Sequence, residues 1–272
     1  MSKGINNIII MYMNIHIENW EGRLGSNIIQ VLCAIQIGLS YDYNIILPEH
    51  KFFNKRYIIL NNNVTKDMKK ITTPNNFLNT KHFDDVDRRI FRINLDDALF
   101  VLRDLFIIKD VYPLYKHDVV IYIKPYDMLG SVIYPHYMMP PLSYYTNILD
   151  GIKHKRVWLV TEDYNHPCVK KLQDLYPTII CKKWRIMEKV ELLLGASIVI
   201  ESFGTFISSL LLVSKNIQTI YRPSYHISRN DVIQRARDFN GSIIDVDLLK
   251  YQYALSPWRN TKKQRRLLLE YR

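Results

Sequence analysis

Two glycines, Gly22 and Gly25, separate an apolar run that ends near Met13 from an apolar-periodic run that ends near Leu39. This order predicts a strand, a glycine turn and a helix, because glycine allows a tight turn and a close approach of the backbone to a ligand. The helix would present unpaired N–H groups and the positive end of its dipole to that ligand. The pattern indicates a site for an anion or a polar sugar nucleotide, while a plain strand-to-helix junction would show the same two glycines.

Polar residues follow three predicted strands in the second half of the chain, at residues 124–127, 161–163 and 201–205. Ligands of open α/β sheets bind beyond the carboxyl ends of the strands. The side chains of these segments include a lysine, four carboxylates and four hydroxyls. We therefore expect the three segments to form a binding site for a polar ligand.

The predicted elements that position these segments alternate between strands and helices. After a first strand at residues 8–13 and the glycine turn, the first half continues with a strand at 44–47, a loop-rich insertion at 49–80 and a helix at 94–106. Later strands are predicted at residues 119–123, 156–160, 178–181, 197–200 and 218–221. Later helices are predicted at residues 140–152, 166–175, 187–194, 206–213 and 230–238. Five such repeats predict a doubly wound second half.

The segment GRLGSNIIQ, from Gly22 to Gln30, resembles the GGLGNQMFQ element that opens the α-1,2-fucosyltransferase family. Gly22, Leu24, Gly25 and Gln30 match this element. The five intervening or following positions are substitutions. Three later segments of the chain extend the resemblance.

Residues 122–127 resemble the HIRRGD motif of the same family, at about the expected distance from the glycine turn. Asp127 matches, and Lys124 stands where the family has its first arginine. The resemblance implies that Lys124 holds the donor diphosphate and stabilises the charge on the departing nucleotide. Lysine supplies this charge as a point donor rather than as a bidentate fork. Two consequences stay open, a changed donor geometry and a weakened activity.

Residues 161–163 resemble the short SDD turn of the family, and residues 200–206 resemble its NSTFSWW segment. Ser202 agrees in kind with the second segment, Thr205 replaces a serine, and Glu201 replaces an asparagine. Hydroxyls and N–H groups at the start of a helix form a phosphate cradle. The Glu201 carboxylate, in contrast, would repel a diphosphate. The acidic turn could accept hydrogen bonds from nucleotide hydroxyls, or its last acid could cap the next helix.

The resemblance implies an α/β fold of the GT-B type, with two facing Rossmann-like α/β halves and a C-terminal helix. Residues 1–115 would form the acceptor-side half with the glycine loop, and residues 116–250 would form the half that binds the nucleotide sugar. Residues 251–272 would form a basic C-terminal helix or tail.

The implied activity is an inverting, metal-independent transfer of a deoxyhexose, most simply L-fucose from GDP-fucose, to a glycan hydroxyl. No cofactor is expected beyond the donor substrate. Lys124 is the expected catalytic cation, and His16, Glu18 and Glu21 are the candidates for the base that accepts the proton of the acceptor hydroxyl. The expected donor-binding residues are Gly22, Arg23, Gly25, Lys124, Asp127, Glu162, Asp163, Glu201, Ser202, Gly204 and Thr205.

The composition is that of a globular protein with a net charge of +11. Such a charge attracts anions, including nucleic acid, an anionic membrane surface and phosphorylated small molecules. Three scattered cysteines and the polar residues that follow the first apolar run favour a reducing, cytoplasmic location without a signal peptide. Polar residues interrupt the apolar segment 192–213, so we expect no transmembrane segment there. The abundance of Ile, Asn, Lys and Tyr is typical of AT-rich genomes, such as those of large viruses or some microbes.

Three alternatives stay open. The same fold could use another donor, such as a UDP- or dTDP-deoxysugar, because the departures from the family motifs fall in the donor pocket. The chain could be an inactive transferase. It could also bind nucleic acid or an anionic surface through the cluster at residues 262–266, although no nucleic-acid motif accompanies this charge and a nucleic-acid partner is not expected.

Overall fold

The computed structural model describes residues 13–20, 22–60, 69–72, 95–108, 111, 113–124, 139–202, 204–224 and 241–272. The chain divides into two compact units, Met1–Lys109 and Asp110–Arg272. Both units combine helices with a sheet that is mainly or wholly parallel. The α/β class predicted from the sequence is therefore confirmed.

The first unit contains a four-stranded sheet in the order β3-β2-β1-β4. Strand β1 pairs in parallel with both β2 and β4, and β3 is antiparallel to β2. The strands are β1 at Met13–His16, β2 at Asn44–Ile46, β3 at Tyr57–Ile58 and β4 at Lys69–Thr72. The helices are α1 at Leu24–Tyr41 and α2 at Leu95–Leu105.

The predicted order of strand, glycine turn and helix is confirmed in this unit. Strand β1 begins at Met13, so most of the predicted strand 8–13 lies outside the described residues. The predicted strand at 44–47 and the helix at 94–106 correspond to β2 and α2. The prediction of a loop-rich segment at 49–80 is wrong in part, because β3 and β4 lie within it and β4 pairs with the central strand β1.

Helix α1 forms the core of the first unit. Its apolar residues are buried on most sides, which explains why a long stretch of the sequence is apolar. Within the described ranges it is the one helix long and apolar enough to cross a membrane, and 72% of its 18-residue apolar window is buried in the protein. Such burial is typical of a core helix.

The second unit contains a five-stranded, wholly parallel sheet in the order β6-β5-β7-β8-β9. The strands are β5 at Asp118–Tyr122, β6 at Arg156–Val160, β7 at Ile198–Glu201, β8 at Thr219–Ser224 and β9 at Ser242–Asp247. The helices are α3 at Leu142–Gly151, α4 at Pro167–Leu175, α5 at Ile186–Gly195, α6 at Thr205–Val213, α7 at Leu249–Leu255 and α8 at Lys262–Glu270.

The strand order of this unit is that of a doubly wound nucleotide-binding sheet. From β5 the chain proceeds outward to β6 and then to Ile180, which forms a parallel bridge with Trp158 of β6. It then returns to the other side of β5 and continues through β7, β8 and β9. The connections from β5 and β7 thus run in opposite directions, and a crevice at the carboxyl ends of these two strands follows from that reversal.

Most predicted elements of the second unit agree with the structure within a few residues. The predicted strand at 178–181 is reduced to the single bridge of Ile180. Strand β9 and helix α7 were not predicted, and the predicted helix at 230–238 lies outside the described part of the chain. Strand β9 escapes prediction because its exposed and half-buried residues lack the continuous apolar pattern of a buried parallel strand.

Residues 251–272 contribute to the core of the second unit. Trp258 and Leu268 are fully buried in the cluster that also contains apolar residues of β5 and β6. Helix α8 packs against α3 and α4 of its own unit, while its basic residues face outward. The terminal helix is therefore amphipathic, with the positive cluster on its exposed side.

His166 begins helix α4 from a buried position. Its Nδ1 atom accepts a hydrogen bond from the N–H group of Cys168 at 3.2 Å, and its Nε2 atom lies 2.9 Å from the Met139 sulfur. Burial lowers the pKa of His166 to about 4, because the apolar surroundings disfavour the charged ring. The helix cap thus depends on a neutral imidazole.

We predict that this ring makes folding sensitive to acid. The unfolded chain binds the proton near pH 6.5 and the folded chain near pH 4, so stability is full above the first value and falls by about 3 kcal/mol between them. His166→Asn, which retains a capping acceptor, should remove most of this decline in urea denaturation measured from pH 7 to pH 4. His117→Asn, at an exposed position, should leave the decline intact, and parallel profiles for wild type and His166→Asn would contradict the prediction.

Candidate functional site

Two hydrogen bonds join the ends of β5 and β7 in the second unit. The backbone N–H group of Ser202 donates to the carbonyl oxygen of Tyr122 at 3.0 Å, and the backbone N–H group of Lys124 donates to Ser202 Oγ at 2.8 Å. These bonds hold Lys124 beside the first residues after β7. The sequence-predicted residues Lys124 and Ser202, which are 78 positions apart, are therefore direct neighbours at the crevice.

Gly204 brings the start of helix α6 close to the Lys124 side chain. It is the N-cap residue, with φ 108° and ψ 167°, a conformation that residues with a side chain rarely adopt. A Cβ atom at this position would lie 3.4 Å from both Cδ and Nζ of Lys124. The ammonium group therefore passes over a glycine, next to the first turn of α6.

The first turn of α6 suits an anionic ligand. The first N–H groups of a helix have no partner within the helix, and the N-cap Gly204 offers no side-chain acceptor for them. Thr205, at the first helical position, is exposed, so its hydroxyl is accessible. A cation beside a helix N-terminus is the arrangement that binds phosphate groups.

Aromatic side chains lie next to the end of β7. The Tyr144 hydroxyl lies 2.9 Å from the carbonyl oxygens of both Glu201 and Tyr221, where its hydrogen can be donated. The rings of Tyr122 and Phe206 are 5.5 Å apart between centroids. The Glu201 side chain is buried at the same strand end. If it is ionised, its carboxylate weakens the binding of an anion nearby.

The acidic turn after β6 is organised by its own hydrogen bonds. The N–H group of Asp163 donates to Thr161 Oγ1 at 3.1 Å, and Asp163 Oδ1 accepts from the N–H group of Asn165 at 2.9 Å. Asp163 is buried and shapes the turn, whereas Glu162 is partly exposed and lies 3.6 Å from Lys189 Nζ. A role of either acid toward nucleotide hydroxyls stays a prediction.

The remaining candidate residues lie in the first unit or outside the described residues. Gly22 adopts φ 69°, and a Cβ atom there would lie 2.8 Å from Ser26 Oγ, so the turn requires glycine. Gly25 is buried in the first turn of α1. The other members of the set are His16, half-buried at the end of β1, Arg23 and Glu18, both exposed, and Glu21 and Asp127, which the structure does not describe.

An aromatic cluster beside the glycine turn was not anticipated from the sequence. Trp20 stacks on Phe53 with 5.5 Å between ring centroids, and its ring lies 4.8 Å from that of His50. Burial lowers the pKa of His50, and the charge of Lys51 lowers it further, so the ring favours its neutral form. The cluster could not be foreseen because Trp20 and its partners are about thirty residues apart and share no motif.

Within the described part of the chain, no group of three or more His, Cys, Asp or Glu side chains is arranged to hold a metal ion. The positive groups at the crevice are instead Lys124 and the N-terminus of α6. The chemistry available from these groups is the binding of a phosphate or diphosphate by charge and by N–H donors.

We predict that a side chain at position 204 destabilises the folded protein. Gly204→Ala should lower the free energy of unfolding by about 1–3 kcal/mol, because alanine is strained at this φ. Gly151→Ala is the matched control, since a Cβ atom there meets nothing within 4 Å. This control should be neutral or stabilising by up to about 1 kcal/mol in the same denaturant titration. Equal effects of the two substitutions would contradict the prediction.

No protein-family model matches the chain, and no curated protein sequence matches it. Three similar solved structures are of fucosyltransferases. A crystal structure of NodZ α-1,6-fucosyltransferase soaked with GDP-fucose is 9% identical, with a TM-score of 0.39 over 74% of this chain and 93% of that chain. POFUT1 in complex with GDP is 9% identical, with a TM-score of 0.41 over 88% of this chain and 98% of that chain. POFUT1 in complex with GDP-fucose is also 9% identical, with a TM-score of 0.40 over 88% of this chain and 97% of that chain.

Proposed function

We propose that the protein is a glycosyltransferase that binds the diphosphate of a nucleotide sugar at the crevice between β5 and β7. The observation that carries this proposal is the Lys124 ammonium group beside Gly204 and the N-terminus of α6, at the switch point of a doubly wound sheet. A lysine and helix N–H groups together neutralise a diphosphate without requiring a metal ion. Ser202 positions Lys124 through its hydroxyl, and Thr205 offers a further hydroxyl to the ligand.

The proposed reaction is an inverting displacement at the anomeric carbon. The oxygen of an acceptor hydroxyl forms the new bond, the bond from the anomeric carbon to the diphosphate breaks, and the nucleoside diphosphate leaves with the electron pair. Lys124 and the N-terminus of α6 stabilise the charge that develops on this leaving group. A base must take the proton of the acceptor hydroxyl, and His16, Glu18 and Glu21 are the proposed candidates.

The proposed donor is GDP-fucose, and the proposed acceptor is a glycan. This assignment is supported by the motif resemblance of residues 22–30, 122–127 and 200–206 to α-1,2-fucosyltransferases. By the same resemblance we propose a GT-B arrangement, in which residues 1–115 serve the acceptor and residues 116–250 hold the donor. Each of these finer statements depends on the identity of the nucleotide that the crevice accepts.

The test of the proposed site is nucleotide binding by a Lys124 variant. Lys124→Met should weaken the binding of GDP at least about tenfold in calorimetric titration, because it removes the charge that pairs with the diphosphate. Lys215→Met, at an exposed position after α6, is the matched control and should bind GDP like the wild type. Unchanged GDP affinity in Lys124→Met, or no binding of any nucleoside diphosphate by the wild-type protein, would refute the proposal.

The same titrations identify the donor. Tighter binding of GDP than of UDP or dTDP, without added metal and equally with magnesium, is the result expected for GDP-fucose. Preferential binding of UDP or dTDP would retain the site and replace the sugar nucleotide. Transfer of fucose from GDP-fucose to one member of a panel of glycans would then identify the acceptor.

We further predict that Glu201 limits the affinity for the nucleotide. Glu201→Gln removes a negative charge at the end of β7 and should strengthen GDP binding several-fold, by about 1 kcal/mol. The effect should shrink at high salt, because screening reduces the repulsion between the carboxylate and the diphosphate. Weaker binding in this variant would mean that the carboxylate assists the ligand instead of repelling it.

A further inference from the structure

A second polar cavity opens at the carboxyl end of β6, beside the acidic turn. Its volume is about 760 Å³, enough for a ligand larger than a single phosphate group. Three cationic residues, Lys183, Lys189 and Arg265, line it together with the carboxylates Glu162 and Asp163. These residues come from the turn after β6, from the loop before α5, from α5 and from α8, so the cavity is a product of tertiary packing.

Lys189 is the unusual member of this set. Only 10% of its side chain is exposed, and lysine is rarely buried unless its charge is compensated. Glu162 Oε1 lies 3.6 Å from Lys189 Nζ, which is beyond the 2.7–2.9 Å typical of a charged hydrogen bond. Among the described residues, no acceptor forms a hydrogen bond with Lys189 Nζ, although an ammonium group has three donors.

The two carboxylates in the cavity are engaged to different degrees. Asp163 is buried, and its Oδ1 atom accepts from the N–H group of Asn165, so it belongs to the turn. The Glu162 side chain is 41% exposed, and its contact with Lys189 Nζ is long at 3.6 Å. An incoming anion can therefore replace Glu162 beside Lys189, while Asp163 keeps its position.

The other two cations are suited to assist such an anion. Lys183 is exposed at the rim of the cavity. The Arg265 side chain donates through Nε to Asn260 Oδ1 at 2.8 Å. Within the described part of the chain, this is its one side-chain hydrogen bond. The terminal nitrogens of its guanidinium group are thus suited to bidentate contact with an oxyanion.

We propose that this cavity binds a tetrahedral oxyanion, a phosphoryl or sulfuryl group carried by a small ligand, with Lys189 as the central cation. The Glu162 carboxylate lies beside the Lys189 ammonium group when the cavity is empty, and the bound oxyanion displaces it. The cavity shares Glu162 and Asp163 with the expected donor-binding set, whereas its three cations belong to no earlier assignment. The proposal does not rest on the proposed transferase activity, because the oxyanion would be held by Lys189 and not by Lys124.

The experiment measures stabilisation by inorganic phosphate and by sulfate at constant ionic strength, with chloride as the balancing ion. Because phosphate can also bind at the crevice, all comparisons use the Lys124→Met protein as the background. In this background, the shift in melting temperature should saturate with phosphate or sulfate concentration. Adding Lys189→Met should weaken the apparent affinity at least about tenfold, whereas adding Lys171→Met, at an exposed position on α4, should not change it.

Glu162→Gln should change the oxyanion affinity in the opposite direction. Removing the competing charge should strengthen oxyanion binding several-fold, whereas a cavity built for hydroxyl groups or cations would lose affinity. Lys189→Arg, which keeps the charge, should retain binding and serves if Lys189→Met fails to fold. Phosphate binding without sulfate binding would identify a phosphoryl ligand, and binding of both would indicate any tetrahedral dianion.

Three results would overturn the proposal. These are equal stabilisation by chloride, unchanged phosphate affinity in the protein that carries both Lys124→Met and Lys189→Met, and weaker binding in Glu162→Gln. GDP titrations on the same proteins separate this proposal from the preceding one. Loss of GDP binding in Lys124→Met with retained phosphate binding would support both sites, and each site can fail while the other stands.

Discussion

Ser202 makes two hydrogen bonds across the gap between β5 and β7, and the position of the candidate site depends on them. The strand order of the sheet sends the connections after these two strands in opposite directions, which leaves their carboxyl ends without a covering crossover. The serine closes this gap with one backbone donor and one side-chain acceptor. Ser202 bonds to Tyr122 and to Lys124, and α6 begins three residues after Ser202. The two hydrogen bonds therefore bring Lys124 and the start of α6 together.

The sequence predicted the parts of the structure that follow from burial on both faces of a sheet. Strands β5, β6 and β7 are continuous apolar runs, and the polar residues that end them identify the ligand-binding edge. Tertiary packing decides the features that were missed. Lys189 lies in the segment Glu188-Lys189-Val190-Glu191, which resembles an exposed helical turn, yet Lys189 is buried. Its burial depends on tertiary packing that the local pattern does not reveal. Ile180 keeps a single bridge where four strand residues were predicted.

Charge is distributed in the second unit so that cations and carboxylates occur together at the carboxyl ends of the strands. Lys124 follows β5, Glu201 ends the neighbouring strand β7, and Glu162 follows β6 and lies 3.6 Å from Lys189 Nζ. An ionised carboxylate near a cation lowers its attraction for an anion, while the cation remains in place to bind one.

The contact between Lys124 and Ser202 uses the main chain of the lysine. Any residue with a backbone N–H group at this position can form the same hydrogen bond. The bond therefore determines where the side chain of residue 124 begins, whatever its type. An exchange of lysine for arginine would keep this bond and replace a single ammonium group by a planar guanidinium group, so it would alter the geometry of anion binding at the crevice.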